Sequence, residues 1–196
     1  MLFVFALFLY NLYMRIIAGK YKGKRLAEFD LSTTRPTNDM IREALFDKIG
    51  YKVIDAIFLD LFAGTGACGI EAISRGAQYV YFVDANKNAT NIIKKNMQSI
   101  QTTNFEILQN DYILATKTFA KQNLQFDIVF LDPPYASDFA ENSIELLNQN
   151  KLLKNDFLIV WEHDKTKLKY VENTYPNATT KKYGEKFLTY LTHTDL

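Results

Sequence analysis

Metal and disulfide chemistry have little to work with in this chain, whose 196 residues include one cysteine, Cys68, and two histidines, His163 and His193. A single thiol excludes an internal disulfide framework and a cysteine-rich zinc site, and two isolated histidines give no reason to expect a metal centre. Excess charge of one sign is also missing. Lys plus Arg number 23 against 22 Asp plus Glu, a formal net charge of +1. Affinity for nucleic acid must therefore come from a local cluster rather than from the global field. No low-complexity tract, repeat or convincing linker interrupts the chain. Long apolar runs are scarce as well: the opening MLFVFALFLYNLY, residues 1–13, falls short of the roughly 20 residues of a membrane span. It also lacks the basic start and small-residue cleavage site of a signal peptide. These residues are read as an appended segment, with Met14 as the alternative start and a peripheral membrane anchor as the competing reading.

What is present is enough for one core. At 48% hydrophobic residues, a chain of this length suits a single globular domain. Short apolar runs at Ile57–Leu61, Tyr79–Val83, Phe105–Leu108, Phe126–Leu131 and Phe157–Trp161 read as buried strands. Ala89, Ile92, Ile93, Met97 and Ile100, between the second and third runs, have helical spacing. Strand and helix in alternation imply an α/β fold with a parallel sheet covered on both faces. Phe187–Leu191 adds a further strand after a turn near Gly184, and Thr37–Ile49 forms an earlier helix entered after Pro36. The division expected is 1–13 as the appended segment, 14–50 as a basic hairpin and helix, and 51–196 as the α/β domain.

Between the first strand and the next helix lies DLFAGTGACG, from Asp60 to Gly69, which contains G-x-G-x-x-G at Gly64, Gly66 and Gly69. Asp84 ends the second strand twenty residues after Gly64. Taken literally this is a dinucleotide fingerprint, so a nicotinamide oxidoreductase is one reading. Asp60 favours S-adenosylmethionine instead: a carboxylate just before the glycines opposes a pyrophosphate but suits the cationic amino group of a methionine moiety. Asp111 and Tyr112 follow the third strand, where a side chain and a ring can meet an adenine edge and face. Bland alternatives stand beside each assignment. Cys68 suits packing under the glycine loop, Asp84 could cap the helix from Asn86 to Gln98, and Asp111 could cap the helix that follows it.

The fourth strand ends in LDPPY, residues 131–135. Two prolines stop a strand because they lack the amide donor. They leave Asp132, the carbonyls of Pro133 and Pro134 and the ring of Tyr135 at the carboxyl edge of the sheet, where ligands of open α/β sheets collect. An acid, carbonyl acceptors and a flat ring can hold a planar, amine-bearing group; alone, the same residues are also an ordinary strand terminator. At the other end, Arg15, Lys20, Lys22, Lys24 and Arg25 fall within eleven acid-free residues broken by Gly19 and Gly23. This is either a phosphate-contacting hairpin or a solvated one.

Taken together, these residues resemble the RsmD-type methyltransferases, which methylate the exocyclic N2 of a guanine in bacterial 16S ribosomal RNA. The resemblance runs from Met14 almost to the C-terminus. It includes Arg15-Ile16-Ile17-Ala18-Gly19 with Gly23-Lys24-Arg25-Leu26, Arg35-Pro36-Thr37 with Arg42-Glu43 and Leu45-Phe46, LDLFAGTGACGIEAISRGA, Asp84 and LDPPY. Glycine loops and LDPPY are common among methyltransferases, whereas the basic start followed by RPT is far more specific. Family members often carry Phe where Tyr135 stands, which keeps a stacking ring. The resemblance implies a Rossmann-like, seven-stranded sheet with an N-terminal basic β-hairpin and helix, S-adenosyl-L-methionine as donor, and 16S rRNA in the small ribosomal subunit as acceptor. By analogy Asp60, Gly64 and Gly66 hold the methionine end, Asp84 the ribose and Asp111 the adenine, with Phe62 and Tyr112 as further cofactor-binding residues. Asp132, Pro133, Pro134 and Tyr135 hold the target base, and Arg15, Lys20, Lys22, Lys24, Arg25 and Arg35 contact RNA. A cytoplasmic monomer is expected. The rivals are a DNA amino-methyltransferase acting on adenine N6 or cytosine N4, a protein glutamine methyltransferase, against which Asp132 speaks, and a non-catalytic rRNA-binding assembly factor.

Overall fold

The computed structural model describes residues 14–28, 37–134 and 137–196, the side chains of 37 and 38 excepted. The expectations for residues 1–13, Arg35 and Tyr135 lie outside the described residues.

Seven strands form one sheet: β1 (Ile57–Asp60), β2 (Tyr79–Val83), β3 (Phe105–Leu108), β4 (Phe126–Leu131), β5 (Leu153–Asp164), β6 (Thr179–Tyr183) and β7 (Lys186–Leu191). Their order is β3-β2-β1-β4-β5-β7-β6. The first five are mutually parallel, and β7 runs antiparallel between β5 and β6. Chain direction across the sheet reverses between β1 and β4, so their carboxyl ends open a crevice there.

Among the described residues, six α-helices cover the two faces. On one, α1 (Thr37–Ile49), α2 (Ala67–Ser74) and α3 (Lys87–Met97) bring Leu45, Phe46, Ile70 and Ile93 against Phe58, Phe82, Phe130 and Val160. On the other, α4 (Tyr112–Lys121), α5 (Phe139–Gln149) and α6 (Leu168–Thr174) bring Phe119, Ile144, Leu147 and Val171 against Leu59, Val129, Leu131 and Trp161. The seven-stranded α/β architecture is the one expected. Coverage on both faces explains why β1 and β4 read as nearly continuous apolar runs.

Three details differ. β5 is longer than Phe157–Trp161, because Leu153 already pairs with Phe126 before a register shift brings Leu158 opposite Ile128. β6, the polar TTKKY, escaped the apolar pattern because it is an edge strand with no buried residue. The two arms of the basic segment pair through one antiparallel bridge, Arg15 with Arg25, and through backbone bonds from Ile16 to Lys24, Gly23 to Ile16 and Leu26 to Met14, a pairing too short to make two strands. Other amides of the segment tie it to α2: Ile17 and Ala18 donate to the Glu71 carboxylate at 2.8 and 2.9 Å, and Lys20 donates to the Ser74 carbonyl at 2.7 Å. At Gly19, φ is +79° and a Cβ would lie 1.9 Å from that carbonyl oxygen, so a side chain would push the loop off α2.

Candidate cofactor and base site

Side-chain alternation places the site. Asp60 on β1 pairs with Phe130 on β4, and Leu131 pairs with Trp161 on β5. Successive residues point to opposite faces. Asp60, Asp132 and Glu162 therefore share the face that carries Phe58, Phe130 and Val160, in neighbouring positions across three adjacent strands. All three line one cavity of about 260 Å³ at the carboxyl edge, together with Arg42, Phe62, Gly64, Cys68 and Met14.

Asp60 is 1% exposed, and its Oδ2 accepts the Gly69 amide at 3.0 Å. Burial pushes its carboxyl up from 3.8 to about 7; the Gly69 hydrogen bond opposes this and the nearby Asp84 charge adds to it. No cation of the described residues offsets that burial, and a carboxyl so perturbed in a crevice marks a candidate binding site. The amide reaches it because α2 begins directly after the turn: Gly66 caps the helix in the left-handed conformation, φ 78°. Gly69 itself packs against β2, where a Cβ would fall 2.2 Å from the Phe82 ring. The three glycines thus have separate jobs in turn geometry and close packing.

Asp84 braces that turn. Its Oδ2 accepts the Gly64 amide at 2.8 Å and its Oδ1 accepts the Asn86 amide at 2.8 Å. It does not cap α3; the Asn86 side chain does, accepting from the Asn88 amide. Asp111 does cap α4, through the Leu114 amide at 2.8 Å. That bond fixes the carboxylate at the mouth of the next βα turn. Phe62 connects this region to the cavity, 5.9 Å from Tyr112 and 6.4 Å from Phe139 between ring centroids. Tyr112 and Phe139 are 5.2 Å apart. Phe139, 41% exposed, extends the aromatic rim beyond the two rings expected from sequence.

Asp132 lies just past the end of β4, half-buried. Its carboxyl is pushed well up, chiefly by burial and then by the Glu162 charge, with Lys186 pulling the other way. Pro133 is buried and Pro134 exposed. The Pro134 carbonyl is engaged by Ser137, whose amide and hydroxyl donate at 3.0 and 2.6 Å. Cys68 lines the cavity with its thiol pushed up by burial and by Asp60, the character of a packing residue and not of a nucleophile.

Two cavity residues had no assigned role from sequence. Arg42 on α1 is 2% exposed; its Nη2 donates to the Arg15 carbonyl at 2.6 Å and to Asp39 at 2.9 Å. Its Nε is buried without a hydrogen-bond partner among the described residues, 3.8 Å from Glu71. Glu162, 6% exposed, forms an ion pair with Lys186 of β7. Periodicity marks Arg42 only as a helix position, and Glu162 lies one residue past the apolar run that signalled its strand. The basic loop is tied to this site at its root: Met14 lines the cavity, and the Arg15 carbonyl is held by Arg42. Lys20, Lys22, Lys24 and Arg25 project from it into solvent, and the Lys24 ammonium donates to the Ser99 carbonyl. No cluster of metal-ligating side chains occurs among the described residues.

Comparison with known proteins places this geometry. Ribosomal RNA small subunit methyltransferase D of Buchnera aphidicola is 38% identical over 88% of this chain and 86% of its own, and that of Escherichia coli K12 is 33% identical over 84% and 79%. A solved hypothetical protein of Thermus thermophilus superimposes with a TM-score of 0.76 at 29% identity, over 91% of this chain and 99% of that one. The fold is also that of a Thermus thermophilus 16S rRNA N2 methyltransferase in complex with AdoMet and guanosine, with a TM-score of 0.71 at 19% identity over 92% of this chain and 49% of that one. The family model described as Conserved hypothetical protein 95 matches residues 14–192, and this chain belongs to that family, which includes the ribosomal RNA small subunit methyltransferase D proteins.

Proposed function

We propose that this protein transfers a methyl group from S-adenosylmethionine to the exocyclic N2 of a guanine in 16S ribosomal RNA, working as a cytoplasmic monomer on the small subunit. The observation that carries the reading is the placement of Asp60 and Asp132 as neighbours on one sheet face, inside one cavity at the switch point of the sheet.

The residues fit the donor. Its methionine end is a zwitterion, and among the described residues the cavity offers a buried acid without a cation, Asp60, and a buried guanidinium Nε without an acceptor, Arg42. Asp84 and the Gly64–Gly66 turn would take the ribose, and Asp111 with the Phe62, Tyr112 and Phe139 rim the adenine. When bound, S-adenosylmethionine supplies an electrophilic methyl group on a sulfonium. Everything else falls to the protein. The guanine amine is a weak nucleophile because its lone pair is delocalised into the ring. Asp132 accepts one of its hydrogens and the Pro133 carbonyl the other, which draws the nitrogen toward pyramidal geometry and aims the lone pair along the line of displacement. This assignment leaves the Pro134 carbonyl to Ser137, where the structure has it. Positive charge developing on nitrogen is stabilised by Asp132, which then takes the proton. Tyr135 stacks on the extruded base, worth about 1–3 kcal/mol. Arg15, Lys20, Lys22, Lys24, Arg25 and Arg35 position the phosphate backbone without reading sequence.

The test is methyl transfer from labelled S-adenosylmethionine to unmethylated small subunits, protein-free 16S rRNA and duplex DNA, with the product nucleoside identified by mass spectrometry. N2-methylguanine in the ribosomal sample is the expected result. Methyladenine or methylcytosine in DNA would overturn the acceptor assignment.

A further inference from the structure

We infer that Glu162 determines base specificity: its carboxylate accepts the N1–H of the target guanine, beside the N2 amine held at Asp132. The inference rests on the proposed guanine-N2 reading and extends it to a residue that carries no assigned role.

Strand order supplies the first step. Across β1, β4, β5 and β7 the same face presents Asp60, Asp132, Glu162 and Lys186 in turn. Glu162 is opposite Leu188, and Lys186 lies two residues from Leu188 on the same face. Adjacent strands are about 4.8 Å apart. With Asp60 serving the cofactor and Asp132 the reacting amine, the next functional group of the base falls on the β5 side. On guanine that neighbour is N1–H, a donor. Its Watson–Crick edge presents two donors in succession, N2 and N1, and the cavity lining presents two acceptors in succession, Asp132 and Glu162. Flipped bases are read along this edge.

Burial and charge supply the second step. Glu162 lines the cavity and is 6% exposed, so an acceptor there is shielded from competing water. The Lys186 ammonium is paired to it, and an ionised carboxylate is acceptor-only, with capacity for several donors. Adenine N1 and cytosine N3 are acceptors. Either would set its lone pair against a carboxylate with no proton between them, the kind of mismatch a polar site rejects most strongly.

The measurement is the affinity of guanosine and of 2,6-diaminopurine riboside for the full-length protein with S-adenosylhomocysteine bound, by titration calorimetry or ligand-observed NMR. Both nucleosides carry the 2-amino group, but the second has an acceptor at N1. Wild type is expected to prefer guanosine by about tenfold or more, and Glu162→Gln, whose amide can donate to N1, by less than about threefold. If the Gln variant fails to fold, the double variant Glu162→Gln/Lys186→Met removes both members of the ion pair and keeps the shape. A ratio unchanged in a folded variant, or no binding of guanosine by the wild type, overturns the inference and reduces Glu162–Lys186 to a structural ion pair. The N2 reading fails separately, by the identity of the methylated nucleoside.

Discussion

Replacing Asp60 by Asn should make the ligand-free protein more stable while weakening its hold on the cofactor, and both effects should depend on pH in a defined direction. Asn keeps an oxygen for the Gly69 amide, which Asp60 accepts at 3.0 Å, so the change removes charge with little change of shape. In the folded protein the Asp60 carboxyl sits at about 7, against 3.8 for an unhindered one. A group whose folded value is raised contributes its full stability below the unfolded value and loses it as pH rises through the folded one. Above about pH 7 the ionised form therefore costs about 4 kcal/mol. Near pH 5 the cost is only about 1.5 kcal/mol, so Asp60→Asn should gain about 3 kcal/mol relative to wild type between about pH 5 and pH 8. For a chain of this size that is a shift of about 6–12 °C in melting temperature. Asp132 moves in the same direction, and because the Asp60 charge is one of the causes that raise it, Asp60→Asn also relieves part of that shift and adds to the gain in the same sense.

Binding should show the opposite face of the same charge. A cationic amino group selects ionised Asp60, so the wild-type affinity for S-adenosylhomocysteine should fall about tenfold per pH unit below about pH 7, and the Asn variant should be weak and nearly flat. The assays are urea unfolding at the two pH values and calorimetric titration across the range. A variant that is destabilised equally at both pH values, or that keeps the wild-type pH profile of binding, would refute the reasoning.

Asp132→Ala should lower turnover by roughly 10²–10⁴-fold while the affinity for S-adenosylhomocysteine changes little; loss of cofactor binding in step with rate would move Asp132 from the base to the cofactor. Replacing Lys20, Lys22 and Lys24 by Ala should weaken rRNA binding and reduce the slope of log K against log salt by up to about three, and filter binding at several salt concentrations would show an unchanged slope if the loop makes no phosphate contacts. Glu71→Gln should cost about 3–5 kcal/mol, because the fully buried Glu71 carboxylate pairs with Arg75 at 2.8 Å and receives the Ile17 and Ala18 amides. Chemical denaturation would measure it, and a variant as stable as wild type would show that the loop is anchored elsewhere.

The glycine turn, Asp84 and LDPPY were legible because each is a local pattern whose geometry follows from the residues themselves. Glycine at 64, 66 and 69 after an apolar strand has few other uses, and two prolines can only end β4. Glu162 and Arg42 were not legible as cavity residues, for a shared physical reason. Each is a charged residue whose burial depends on what other elements bring to it: the Arg15 carbonyl and Glu71 of α2 meet Arg42, and β7 brings Lys186 to Glu162. β5 was expected to stop at Trp161, whereas it continues through Asp164 because β7 pairs along its length, from Ile159–Leu191 to Asp164–Lys186. The basic loop was legible in composition and not in shape, since its conformation is set by Glu71 and Ser74 on α2, more than fifty residues away in sequence.

Three acids around one cavity are hard to reconcile with stability alone. Glu162 and Asp60 both add to the field that raises Asp132, and Asp84 adds to the one that raises Asp60. Apolar residues of similar size would pack the same crevice at lower cost. The arrangement makes sense if the ligands complete it: a cofactor cation beside Asp60, and base N–H groups beside Asp132 and Glu162. The acids then change from repelling neighbours into separate acceptors with separate donors. Ligand binding should consequently stabilise this fold more at alkaline than at acid pH, because the unliganded protein is least stable where Asp60 and Asp132 are forced to ionise inside the cavity.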